Sequence, residues 1–127
     1  MKLTMLGTGH AVVTECYNTC FVLSENNRHF LVDGGGGSTI LTQLKRANIN
    51  IGDIKTIFVT HKHIDHLLGV VWMMRVLARY LAKEGAEDVY IYGHDEVIGL
   101  LRDMAEKLLQ KNEVRSLDTK LHLVAVE

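Results

Sequence analysis

A short apolar run, Thr56-Ile57-Phe58-Val59, leads directly into Thr60-His61-Lys62-His63-Ile64-Asp65-His66, and a long apolar stretch from His66 to Lys83 follows. The run has the β-branched and aromatic content of a buried strand, and the stretch has the length of a helix. A strand feeding a helix through a polar loop is the building step of an α/β layered fold. The loop also concentrates chemistry. Imidazole is the commonest transition-metal ligand near neutral pH, and a carboxylate is its usual companion where a metal must also hold water. In extended backbone alternate side chains point the same way, so His61 and His63 can reach one ion. Asp65 follows on that side, and His66 falls where the chain turns into the helix. The spacing suits two adjacent metal ions better than one.

The rest of the chain supports a layered fold. Glycine supplies the punctuation, since proline is absent. Lys2 to Leu6 reads as a first strand ended by Gly7-Thr8-Gly9. Thr19 to Ser24 and His29 to Val32 read as strands joined by Glu25-Asn26-Asn27-Arg28, which has the chemistry of a tight hairpin turn. Asp33 and four glycines come next, and Ser38 or Thr39 can cap a helix carrying Ile40, Leu41 and Leu44 on one face. Gly85 is a stop for the long helix, and Val89 to Tyr92 reads as another strand. Asp95 and Glu96 suit the first turn of a further helix, and Lys107 and Lys111 its last. Leu121 to Val126 closes the chain as a strand. The long helix leaves only Arg75 and Arg79 as a polar stripe, so it is expected to be buried on several sides.

At 127 residues the chain is expected to form a single unit, residues 1–127, with no linker or repeat. Its formal net charge of −1 offers no bulk attraction to nucleic acid or to an anionic membrane. No stretch reaches membrane-spanning length without a charge, and no secretory signal is visible, so a cytoplasmic location is expected. Cys16 and Cys20 read as ordinary thiols in a reducing compartment, because a metal-binding pair would have tighter spacing and a second pair elsewhere. Gly34 to Gly37 lacks the lysine and spacing of a nucleotide loop, and tight-turn geometry beside the histidines accounts for it better. Asp33, at a strand end, can orient a ligand histidine through its second ring nitrogen, or it can serve only as a turn aspartate. His94 reads as a helix cap or surface residue, and His10, His29 and His122 as structural or solvated.

Thr60-His61-Lys62-His63-Ile64-Asp65-His66-Leu67-Leu68-Gly69 resembles the signature of the metallo-β-lactamase superfamily of metal-dependent hydrolases. Leu6-Gly7-Thr8-Gly9 resembles the opening of its phosphodiesterase-like, RNase Z-related branch, and Phe30-Leu31-Val32-Asp33-Gly34-Gly35 its strand ending in aspartate. The resemblance implies that His61 and His63 hold one divalent ion, that Asp65 and His66 hold a second, and that Asp33 supports the loop. It implies zinc, with manganese as the alternative. Asp65 would be the catalytic residue that holds its metal and orients the nucleophile, and a metal-bridged hydroxide would attack a phosphodiester.

The resemblance covers only the first half of the family's αβ/βα sandwich, a mixed sheet with flanking helices. The later histidine of the first site, the bridging aspartate and the final histidine would follow residue 127, so the site is expected to be half built. The RNase Z cluster of proline, lysine, arginine and asparagine is matched only at Asn18-Thr19 within Val12 to Thr19. A small phosphodiester or other ester therefore fits better than tRNA, consistent with the neutral charge. The resemblance leaves one sheet face bare, to be covered by a missing C-terminal half or by a homodimer that completes the sandwich. A non-catalytic metal-binding or assembly half-domain, and a lactamase- or thioesterase-like hydrolase of carboxyl derivatives, are the alternative functions.

Overall fold

A computed structural model describes residues 1–10, 12 and 16–126. Of the segment Val12 to Thr19 that departs from the RNase Z cluster, residues 13–15 lie outside the described residues.

Six strands form one sheet in sequential order: β1 (Lys2–Gly7), β2 (Cys20–Glu25), β3 (Arg28–Val32), β4 (Ile54–Phe58), β5 (Val89–Gly93) and β6 (Leu121–Ala125). β1, β2 and β3 pair antiparallel, and β3 through β6 pair parallel. The β2–β3 turn is the asparagine hairpin expected: Asn26 and Asn27 both have positive φ, 52° and 61°, as a two-residue turn compatible with strand twist requires.

The parallel connections are helical. α1 (Thr39–Arg46) and α2 (Ile64–Leu81) flank β4, and α3 (Asp95–Leu108) with the short α4 (Lys111–Val114) join β5 to β6. Ile40 and Leu44 of α1, Met73, Met74 and Leu77 of α2, and Leu101 of α3 pack with Val22, Leu31, Ile57, Ile91 and Leu121 of the sheet in one core. Ser38 holds the N-cap position of α1 but has helical backbone angles and no side-chain cap bond, so the capping expected of it is not realised. Lys111 does not close α3. Leu109 turns extended, and Gln110 with Glu113 forms a capping box that starts α4 instead.

Ten residues of α2 are buried, while Ile64 and Trp72 stay 65% and 39% exposed. Arg75 leans over the Trp72 ring and reaches the buried Glu113 carboxylate at 3.3 Å.

Among the described residues no helix packs on the second face of the sheet. Strand register aligns Leu3, Leu23, Phe30, Thr56, Tyr90 and His122 in one row, and Met5, Phe21, Val32, Phe58, Tyr92 and Val124 in the next. All twelve are half-buried or exposed, with Leu3, Met5 and Tyr90 at 59%, 47% and 39%. An antiparallel sheet meeting water on one side would alternate apolar with polar residues. These rows are mostly aromatic and aliphatic, so this face is built to be covered. Among the described residues no helix is long and apolar enough to cross a membrane.

Candidate metal centre

The carboxyl ends of neighbouring parallel strands are where open α/β sheets bind ligands. Here Asp33 directly follows β3, and the histidine loop follows β4. The Asp33 N–H donates to the Phe58 carbonyl at 2.8 Å, which joins the two strand ends. Asp33 sits in the left-handed region, φ 61°, and is 4% exposed. A non-glycine residue held there marks a spot that its surroundings over-determine.

Those surroundings are three hydrogen bonds. Thr60 N–H donates to Asp33 Oδ1 at 2.7 Å, Thr60 Oγ1–H donates to Oδ2 at 2.7 Å, and His66 Nδ1 lies 2.8 Å from Oδ2. A carboxylate only accepts, so a His66 proton is on Nδ1 and Nε2 is the ring nitrogen turned away from Asp33. That Nε2 lies 3.1 Å from Asp65 Oδ2, in a residue 8% exposed. A ring nitrogen and a carboxylate oxygen at that distance are joined by a proton on Nε2 or by a cation in its place. Donors at about 2.0–2.2 Å from one ion subtend it at roughly a right angle when so separated, so the pair fits a divalent metal.

His61 and His63 are also brought together, with ring centroids 4.5 Å apart, and His61 lies 3.9 Å from the His66 ring. Asp65 is not on extended backbone as the spacing implied but inside α2, and His66, expected at the turn into the helix, follows it there. α2 begins at Ile64, two residues early, because His63 stays extended at the N-cap while its carbonyl accepts from His66 and Leu67. Asp65 then occupies the first turn, where the helix dipole favours a carboxylate. Among the described residues no group of three or more histidine, cysteine or acidic side chains is placed to hold one ion. The donor types fit metal, while each pair lacks the third protein ligand a catalytic zinc uses.

The glycine run holds this loop by close approach. Gly34 N–H donates to the His66 carbonyl at 3.1 Å, and Gly69 N–H donates to the Gly35 carbonyl at 2.8 Å. Gly35 has φ +72°, and a Cβ there would stand 2.3 Å from the Tyr17 ring. The Tyr17 hydroxyl lies 2.5 Å from the Gly34 carbonyl oxygen and 2.9 Å from that of Gly37, and Gly36 N–H donates to Asn18 Oδ1 at 3.0 Å. Burial pushes the Tyr17 phenol up to about 12. It also pushes the Cys20 thiol up to about 12, with the Asp33 charge adding to the effect.

Sequence reasoning did not single out Thr60 or Tyr17. Thr60 could have been found from its place before the first histidine, whereas nothing local marks Tyr17. Lys62 leaves the loop to pair with Glu96 of α3 and holds that carboxyl below its usual range. His94 supplies only its backbone to the N-cap of α3, His29 meets Ser24 Oγ, and His122 meets Asp88, all away from the cluster.

The sheet, its helices and the histidine loop define the metallo-β-lactamase fold. The crystal structure of human short-form tRNase Z superposes with a TM-score of 0.76 at 27% identity, covering 100% of this chain and 45% of that one. A PhnP-family diphosphatase superposes with a TM-score of 0.68 at 19% identity, over 98% of this chain and 50% of the other. In sequence the chain is 35% identical over 109 residues to a ribonuclease Z of Rippkaea orientalis, covering 84% of this chain and 33% of the relative. It is 34% identical over 130 aligned positions to that of Prochlorococcus marinus strain AS9601, covering 100% and 38%. The chain thus spans little more than a third of these relatives. A family model described as anti-Pycsar protein Apyc1 matches residues 1–127, and the chain belongs to that family.

Proposed function

We propose that this chain supplies half of a dinuclear metal-dependent phosphodiesterase. His61 and His63 would hold one divalent ion and Asp65 with His66 the other, zinc being the natural choice for such nitrogen and oxygen donors. The observation that carries this reading is His66 Nε2 facing Asp65 Oδ2 at 3.1 Å while Asp33 Oδ2 lies 2.8 Å from Nδ1. Bound there, the ions would supply Lewis acidity and neutralise charge developing on the substrate oxygens. The chain's own contributions are Asp33, which fixes the imidazole, and Asp65, which orients the attacking water.

The three missing ligands and the cover of the open face would come from a C-terminal half or a second copy. Relatives named ribonuclease Z and a PhnP-family diphosphatase support phosphorus–oxygen chemistry. The balance of 14 basic and 15 acidic residues favours a small phosphodiester over tRNA, whose binding leans on a basic surface.

Hydrolysis of bis(p-nitrophenyl) phosphate with zinc or manganese tests the reading, on the chain alone and joined to a C-terminal half. Turnover abolished by His63→Ala and by Asp65→Asn supports it. The absence of any three-ligand group among the described residues favours a second reading, a metal-binding assembly half without catalysis. Metal uptake with no turnover in either format selects that one, and turnover only of a lactam or thioester selects carboxyl chemistry.

A further inference from the structure

We propose that Thr60 is a positioning residue that fixes the His61 imidazole, so that the Asp33 carboxylate governs both metal pairs rather than only the one containing His66. The Thr60 hydroxyl lies 2.7 Å from Asp33 Oδ2 and 2.8 Å from His61 Nδ1. It has one proton to give. If it gave that proton to His61, two oxygens with no proton between them would face each other at 2.7 Å beside a buried carboxylate. The proton therefore goes to Asp33, and Thr60 Oγ1 accepts from His61 Nδ1–H.

The result is a converging chain, His61 Nδ1–H to Thr60 Oγ1–H to Asp33 Oδ2, met from the other side by His66 Nδ1–H. Both imidazoles thereby present Nε2, and their rings lie 3.9 Å apart at centroid. The Thr60 N–H on Asp33 Oδ1 fixes the carboxylate plane, so the residue acts through both backbone and side chain. A tautomer fixed before metal arrives raises affinity, because the ligand does not have to reorganise. This purpose rests on the metal reading above, but the tautomer itself does not.

The test uses long-range proton–nitrogen NMR of the histidine rings in the metal-free chain, well above the ordinary histidine pKa of about 6.5. His61 and His66 are both expected as Nδ1–H tautomers. Thr60→Val, at an exposed position, should release His61 to a tautomer mixture and leave His66 unchanged. Thr60→Ser should restore the native pattern, and Asp33→Asn should disturb both rings. Zinc affinity should fall about tenfold in Thr60→Val and return in Thr60→Ser. An Nε2–H tautomer of His61 in the native chain, or an Nδ1–H tautomer unmoved by Thr60→Val, overturns the proposal. Tautomers that respond as expected in a chain that takes up no zinc would instead sink the metal reading and leave Thr60 in its role.

Discussion

Gly69 on α2 packs its backbone directly on Gly34: a Cβ added to Gly69 would stand 1.7 Å from the Gly34 carbonyl oxygen. Gly34 follows Asp33, and Gly69 lies three residues beyond His66, so this contact sets how closely the carboxylate and the imidazole approach.

Gly69→Ala must push α2 away from the glycine loop, because the obstructing atom is backbone and cannot swing aside. The expected cost is at the upper end of, or above, the about 1–3 kcal/mol typical of overpacking, with loss of the His66–Asp33 bond. Gly37→Ala is the control, since a Cβ there meets nothing within 4 Å. Urea denaturation midpoints compare the two. Equal, small shifts would mean that the contact is slack.

Tyr17→Phe keeps the ring against Gly35 and removes the hydroxyl that bonds across Gly34 and Gly37. A loss of about 1 kcal/mol is expected, the usual value for one such bond. The same denaturation series measures it.

Alkaline unfolding follows from Tyr17 and Cys20. Both are pushed up to about 12 in the folded chain, from ordinary values of 10.0 and 9.0. Between the unfolded and folded values the unfolded chain has lost protons that the native one retains, so stability falls as pH rises. Stability is expected intact below about pH 9 and to decline progressively towards 12. Cys20→Ala and Tyr17→Phe should each flatten that decline in thermal melts taken across the range. An undiminished slope in the double variant would assign it to other groups.

The uncovered sheet face should make the isolated chain bind a hydrophobic dye and self-associate. Met5→Lys and Tyr90→Lys, at residues 47% and 39% exposed, should reduce both with little change in stability. A monodisperse native monomer without dye binding, by light scattering and fluorescence, would show that the face needs no cover.

Features set by a few adjacent residues were legible in the sequence. The Asn26-Asn27 turn, the strand before Thr60 and the clustering of His61, His63, Asp65 and His66 all followed from local chemistry and periodicity. What escaped depends on distant partners. Tyr17 reaches residues 17 and 20 positions away, and Thr60 matters only because a carboxylate 27 positions earlier sits beneath it. The start of α2 at Ile64 reflects competition between an extended His63 and a helix-favouring Asp65, which alternation alone does not resolve. Lys111 reads as the end of a continuous helix because the helix is interrupted by the extended backbone of Leu109, not by any glycine or proline.

Zinc titration of the metal-free chain by calorimetry, with metal content checked on the product, addresses the central claim most directly. Two ions per chain are expected, bound more weakly than a complete three-ligand site would bind them. His63→Ala should remove one and Asp65→Asn the other, each leaving its neighbour in place. A chain that takes up no zinc, or one whose uptake survives both substitutions together, would contradict the assignment of these four side chains as two ligand pairs.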